Sequence, residues 1–244
     1  MKRLIALLIM ASPLWVAAQD TAEAVVDRYL ALLNYAALPD DSTLVMETTV
    51  TFHGSTDTFT LRRWFAPPTM MRVEVWHGDT LTTGFCTNGG SRHREYSRRQ
   101  GWWFDAAHSS FHQKMDAYDF RGALYDWRLH GIELDYRGIV TLKGERLHVV
   151  RARQENNYTR YYFFEERSGL LVLMQEKNED AADNEKLKQM LRVPPIEYKA
   201  YHEYKPVGGS LVPSEESFMR DGILDIMHTT MHFEARNNLI FNQD

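Results

Sequence analysis

Tyr204-Lys205-Pro206-Val207-Gly208-Gly209-Ser210-Leu211-Val212-Pro213 sets two strand-like segments on either side of a Gly-Gly turn, and the same design runs through the whole second half of the chain. Upstream, Phe120-Arg121-Gly122-Ala123-Leu124-Tyr125-Asp126-Trp127 and then Gly131 lead into a stretch marked by Gly138 and Gly144, followed by a strand at 147–154. Next come a strand at 160–166, a Ser168-Gly169 turn and a strand at 170–177. Beyond the Gly-Gly turn, two more strand-like segments close on Asn237-Asn238-Leu239-Ile240-Phe241. Short alternating segments separated by glycine turns specify antiparallel neighbours, because glycine enters the positive-φ conformations of tight hairpins at no steric cost.

The first half repeats the pattern. Leu44, Met46, Thr48, Val50 and Phe52 share one face of a strand, and Val45, Glu47, Thr49, Thr51 and His53 the other, a period of two that marks a half-buried strand. Further strands are expected at 58–65, 70–77, 80–87, 91–97 and 101–104, divided by turn chemistry at 54–57, Pro67-Pro68, Gly78-Asp79 and Asn88-Gly89-Gly90. Such regular short spacing predicts a barrel or sandwich and not alternating strands and helices.

Helical periodicity appears in three places. Ala22, Val25, Val26, Tyr29, Leu30 and Leu33 lay one apolar stripe along a helix that starts on a capping-box-like Asp20 and Glu23. Between 106 and 127 the alternation stops. Phe111, Met115 and Tyr118 fall at i, i+4 and i+7, and Ala123, Leu124 and Trp127 at i, i+1 and i+4, which predicts one or two short helices broken near 119–122. A charged insertion at 178–192 places Leu187, Met190 and Leu191 on one helical face before Pro194-Pro195 stops it. The fold class is therefore mainly β with a few α-helices. No internal repeat and no second domain boundary is visible.

Met1-Lys2-Arg3, the apolar run from Leu4 to Val16 and the small residues Val16-Ala17-Ala18 have the form of a secretory leader, residues 1–18, cut before Gln19. The 13-residue run is shorter than the roughly 20 residues that a helix needs to cross a bilayer. With no cysteine near the cut to accept a lipid, the expectation is a soluble periplasmic protein with a single domain over 19–244. Removing the leader takes the net charge from −5 to −7. An acidic balance argues against a nucleic-acid partner. The single cysteine, Cys86, cannot form an internal disulfide and is expected as a buried, inert thiol.

Motifs of catalysis and metal binding are missing. His108 with His112, and His228 with His232, stand four residues apart, but a zinc site needs three or four ligands and neither pair carries the glutamate of a His-Glu-x-x-His helix. There is no Gly-x-Ser-x-Gly elbow and no phosphate-binding loop. No enzyme activity, no metal and no cofactor is expected. Arg92-His93-Arg94-Glu95-Tyr96-Ser97-Arg98-Arg99 is the one basic cluster, read here as a solvated hairpin edge protected by charge.

The order of these segments resembles the LolA-like family of periplasmic lipoprotein carriers, the outer-membrane lipoprotein-sorting proteins. The resemblance rests on the turn preceded by Tyr204 and followed by Gly209-Ser210-Leu211-Val212-Pro213, and on the run from Gly122 to Trp127. It implies a curved, incompletely closed antiparallel β-barrel covered by a helical lid. The helix at 21–33 and the helices at 109–127 would form that lid. The apolar concavity would be lined by Val25 and Tyr29 of the first helix and by Met46, Val50, Phe52, Phe59, Leu61 and Met70 of the early strands. Phe111, Met115, Tyr118, Leu124 and Trp127 of the lid, with Met227 and Met231 near the end, would complete it. Carriers of this kind hold the lid closed through an arginine in an early strand, for which Arg62 and Arg63 are the two candidates, pointing to opposite faces. The composition agrees: 11 methionines and 30 aromatic residues (12 Phe, 6 Trp, 12 Tyr) suit a cavity for flexible chains.

The resemblance implies a monomer that takes the acyl chains of lipoproteins, or another lipid, from an inner-membrane transporter to an outer-membrane acceptor. A LolA-like binding or sensing module for another hydrophobic ligand or an envelope protein is the alternative. Expressed with its own leader, the exported protein should show by intact mass an N-terminus at Gln19; an intact Met1 in the mature protein would overturn the leader reading.

Overall fold

The computed structural model describes residues 21–52, 54, 56–67, 70–88, 93–106, 120–153, 159–177, 198–220, 223–235, 237 and 241. One helix, α1 (Ala22–Leu33), precedes a meander of six strands: β1 (Ser42–Thr51), β2 (Thr58–Ala66), β3 (Met70–His77), β4 (Thr80–Thr87), β5 (His93–Ser97) and β6 (Trp102–Asp105). A second meander holds β7 (Glu133–Leu142), β8 (Glu145–Arg153), β9 (Thr159–Glu165), β10 (Leu171–Lys177), β11 (Tyr198–Val207), β12 (Ser210–Arg220) and β13 (Ile223–Ala235). Every neighbouring pair is antiparallel. The two meanders are joined edge to edge by β1 and β13, in register from Ser42 with Ala235 to Thr51 with Ile226. The result is one 13-stranded sheet that ends at β6 on one side and β7 on the other and does not close.

Burial shows which face turns inward. In β1, Leu44, Met46 and Thr48 are at most 1% exposed, and although Thr43 and Val45 of the other face are also buried, Glu47 and Thr49 are exposed, so from Met46 onward burial separates the two faces as the alternation predicts. The inward set continues across the pairing to Phe65 of β2 and Met231 and Phe233 of β13. β2 and β9 stand six strand steps apart, about 29 Å along a flat sheet at 4.8 Å per step. Leu61 of β2 and Tyr162 of β9 nevertheless line one cavity, so the sheet curls strongly.

Helix α1 lies on the concave face. It buries Ala22, Val25, Val26, Tyr29 and Leu33 and packs against β7, β8 and β12, with the Tyr29 ring 5.3 Å from that of Phe164. Val25, Val26 and Leu33 each contribute about 1.5–3 kcal/mol by this burial. The helix starts one residue later than the capping-box reading: Thr21 is the N-cap, its hydroxyl accepting from the Ala24 N–H at 3.1 Å, and Asp20 lies outside the described residues. Asn34 ends the helix with φ of 49°. Arg28 fixes its position by donating to the carbonyls of Glu166 (3.2 Å) and Arg167 (3.0 Å). That guanidinium passes so close to Gly169 that a Cβ there would stand 2.8 Å from its Nε.

Between β6 and β7 the sequence predicts short helices. The described part, 120–132, is instead a succession of turns, because Gly122 (φ 77°) and Asp126 (φ 57°) interrupt any helical run. The segment still packs inward. Leu124 and Ile132 are buried, and Phe120 stacks edge-on with Tyr35 and Phe65, both at 5.2 Å. A bidentate pair, Arg128 Nη1 and Nη2 to the two oxygens of Asp27 at 3.0 and 2.7 Å, ties the segment to α1. That bond holds the Asp27 carboxyl below its ordinary range. The helix expected at 178–192 lies outside the described residues.

On the outer face Cys86 is buried, as expected. The basic cluster is only partly a solvated edge. Arg98 and Arg99 are exposed in the β5–β6 turn, but the Arg94 side chain is 12% exposed and donates to the Trp103 carbonyl at 3.1 Å. At the opposite edge β7 leaves Ile139, Val140 and Leu142 exposed.

The Gly208-Gly209 turn between β11 and β12 has both glycines at positive φ, 57° and 86°. A Cβ on Gly208 would also lie 2.5 Å from the Phe233 ring. Gly208→Ala should therefore lower the unfolding free energy by about 1–3 kcal/mol in urea titration. Its cost and that of Phe233→Leu should combine non-additively; simple additivity would refute the contact.

Three tyrosines gather where α1 meets β11, Tyr29 on the helix and Tyr201 and Tyr204 on the strand. Burial pushes the phenols of Tyr29, Tyr201 and Tyr204 well above the usual tyrosine range. A raised folded-state value means the neutral phenol is favoured, so the stability it supports is complete below the unfolded value of about 10 and is lost as pH rises through it. Denaturant titrations from pH 9 to 11.5 should show a steepening loss, and Tyr29→Phe should reduce the slope by about 1.4 kcal/mol per pH unit; an unchanged slope would refute the assignment.

Candidate functional site

Under the 120–124 segment the concave face encloses a cavity of about 320 Å³, at the small end of the size range of ligand pockets. Its roof is Phe120 to Leu124, one end is closed by Tyr29 of α1, and its walls come from β2 on one side and β9–β13 on the other. Leu61, Leu171, Met174, Val212, Phe218 and Met227 supply the apolar wall.

The residues expected to line an apolar concavity divide into five groups. Tyr29, Leu61, Leu124 and Met227 line the cavity. Val25 and Met46 are buried in the adjoining core, against which Met231 and Trp127 pack. Val50 pairs with Met227 and Phe59 on the inward face, where the Phe59 ring lies between Phe52 (5.5 Å) and His77 (4.7 Å); Phe52 itself is 38% exposed. Met70 points the other way: Met71 pairs with inward Phe65 and is buried, so alternation puts Met70 on the outer face. Phe111, Met115 and Tyr118 lie outside the described residues.

The adjacent arginines part as strand alternation requires. Arg62 faces outward, donating to Glu47 at 2.8 Å and lying 5.7 Å from the centre of the Trp76 ring. Arg63 faces the cavity and donates from Nη2 to the Thr48 hydroxyl at 3.0 Å. Thr48 in turn shares a buried 2.7 Å hydrogen bond with Thr229 of β13. The described lid residue nearest this role is Arg121, whose guanidinium stacks 4.7 Å over Phe65 and 4.3 Å over Tyr125.

The cavity is not wholly apolar. Arg160 and Glu176 pair at 3.2 Å, and Lys199 and Glu216 at 2.7 Å. The two carboxylates are nearly buried, with side chains 10% and 7% exposed. Lys199 also lies over the rings of Tyr201 (4.8 Å) and Phe218 (5.2 Å). Sequence reading missed this charged floor because register shifts at Leu171/Leu173 in β10 and near Glu203 in β11 break the period of two there. The available signal was the pair of strands Arg160-Tyr161-Tyr162 and Lys199-Ala200-Tyr201, in which a cation alternates with a ring.

Among the described residues no group of three or more His, Cys, Asp or Glu side chains is placed to hold a metal ion. His228 and His232 each face one carboxylate, Glu215 at 3.7 Å and Glu234 at 3.0 Å; His108 and His112 lie outside the described residues. No described helix is long and apolar enough to cross a membrane.

No protein-family model and no curated protein matches the sequence. Solved structures do match the fold. A DUF1329 family protein from Desulfovibrio piger superposes with a TM-score of 0.59 at 9% identity, over 92% of this chain and 98% of that one. A LolA superfamily protein from Nitrosomonas europaea gives 0.59 at 9% identity, over 91% and 98%. A Vibrio parahaemolyticus domain described as an outer membrane lipoprotein-sorting protein gives 0.54 at 10%, over 89% and 97%. The fold is thus LolA-like, an open, curved antiparallel sheet with a covered concave face.

Proposed function

We propose that this protein is a carrier that shields acyl chains in its concavity, and that it moves the lipid part of lipoproteins through the periplasm towards the outer membrane. The observation that carries the reading is the cavity between the curved sheet and the 120–124 segment. Among the described residues its roof is held by the packing of Phe120 and Leu124, by turns and by the exposed Asp27–Arg128 pair just beyond it, and not by strand ladders; exposed pairs are worth little. Such a roof can lift without breaking the sheet. The described lipoprotein-sorting domain from Vibrio parahaemolyticus has the same fold.

The physics of release follows from burial. Each methylene moved from water into the cavity contributes about 0.8 kcal/mol, so a long chain does not escape into water on a useful timescale. Direct hand-over to an acceptor that holds the chain better requires no nucleotide, and the chain carries no phosphate-binding loop. The protein acts in this reading without a covalent step, loaded by an inner-membrane transporter. The charged floor favours a second reading, a binding or sensing module for a smaller hydrophobic ligand with a polar group.

Native mass spectrometry of protein purified from the periplasm tests both: acylated peptide or lipoprotein supports the carrier, a small amphiphile supports the module, and absence of any lipid sinks both. Met227→Trp, which fills the cavity, should weaken an apolar fluorescent probe at least about tenfold, a loss of roughly 1.4 kcal/mol, with a smaller change in melting temperature. Unchanged probe affinity would place the ligand elsewhere.

A further inference from the structure

Trp102 is 59% exposed and Phe104 39%, and Arg98 and Arg99 stand exposed in the turn between β5 and β6. From Tyr96 to Phe104 the hairpin carries these two cations and no acidic residue. Its acids, Glu95 and Asp105, stand at the base, where Asp105 faces Arg94 at 3.6 Å. Tyr96, Ser97, Arg99, Gln100, Trp102 and Phe104 line one shallow cleft, which sets an exposed guanidinium beside apolar rings.

Strand register puts Trp102 and Phe104 on the face that holds the cavity. Directly paired residues of antiparallel strands point the same way, and pairing runs from cavity-lining Leu61 through Val75, Thr83 and Ser97 to Trp102. The next row leads from buried Val73 and Phe85 through Glu95 to Phe104. Four strand steps separate Leu61 from Trp102, about 19 Å along a flat sheet. The hairpin is thus an outer lip of the concave face. Tryptophan settles at the boundary between lipid headgroups and water, and guanidinium forks match phosphate oxygens. The chain as a whole is acidic, with a net charge of −5, so an anionic surface repels it in general and attracts it only through a local cationic tip such as this one.

Resting on the reading of the concave face as a site for acyl chains, we propose that the β5–β6 hairpin docks this protein on an anionic phospholipid surface. Trp102 and Phe104 settle among the headgroups, and Arg98 and Arg99 meet the lipid phosphates around them. The row from Trp102 to Leu61 then gives an acyl chain a path between the membrane and the cavity along one face of the sheet.

The test floats the mature protein with vesicles of phosphatidylcholine alone and of phosphatidylcholine with phosphatidylglycerol, and separately titrates an apolar fluorophore into the cavity. The protein should bind the anionic vesicles at least about tenfold more tightly than the neutral ones, with a blue shift of tryptophan emission, and high salt should release it. Replacing both arginines, Arg98→Ser with Arg99→Ser, should lower that affinity about tenfold and abolish the preference for the anionic lipid. Trp102→Ser should weaken vesicle binding, whereas Trp102→Phe should keep the binding and lose the blue shift. All three variants should leave fluorophore affinity unchanged, which also shows that they are folded. Vesicle binding that survives both the arginine and the Trp102→Ser changes, or a blue shift that Trp102→Phe retains, would overturn the hairpin as the dock. No binding to either vesicle would overturn the membrane as its occupant and leave the lip to a protein acceptor. Each of these outcomes keeps the cavity as an acyl site, which failure of the fluorophore to bind would overturn.

Discussion

Pairing of Ser42–Thr51 with Ile226–Ala235 is the contact on which the rest of the molecule depends. It joins the first strand to the last, and so turns two local meanders into one sheet wide enough to curl. At its middle the ladder carries the buried Thr48–Thr229 hydrogen bond, to which Arg63 is attached from the neighbouring strand. The two hydroxyls satisfy each other at that point of the seam, which matters because an unpaired buried donor costs more than the bond itself returns. Among the described strand pairs this ladder spans the greatest sequence separation, and contacts of that kind form late and slowly.

Once the sheet curls, its inner face has to be covered or filled. Helix α1 covers one end with Val26, Tyr29 and Leu33, and the 120–132 segment packs Phe120, Leu124 and Ile132 against the same core. Between them the face is not packed solid, and the charged pairs of β9–β12 stand where a stability-driven core would place leucine. Local rules of packing are broken there and kept elsewhere, the pattern expected where a site has to bind something.

Much of this was legible in the sequence. The strands at 70–77 and 80–87 match the expected boundaries, because each is flanked by turn residues. The α1 stripe was read residue by residue, with Leu30 half-buried and the other five buried. What failed has a physical cause in each case. Helical spacing at Ala123, Leu124 and Trp127 was overridden by positive φ at Gly122 and Asp126. Met70 was placed inward because Met70 and Met71 offer the same side chain one residue apart, and only the pairing register distinguishes them. The direction of Arg62 and Arg63 likewise needed the register, and the charged floor was hidden by two bulges.

Among the described residues the open sheet ends in two borders, and they are unequal. The β6 border is four residues long and offers little backbone to another chain. The β7 border is ten residues long, with an irregularity at Tyr136/Gly138 and an Asp135 carboxylate shared by Arg137 and Arg151 over its first half. Its second half shows Ile139, Val140 and Leu142 to solvent, so charge protects only one end. Unsatisfied strand borders recruit other strands. Self-association of this protein into fibrillar or edge-paired aggregates would accordingly begin at the β7–β8 hairpin tip, and a single lysine there would raise its working concentration without touching the concave face.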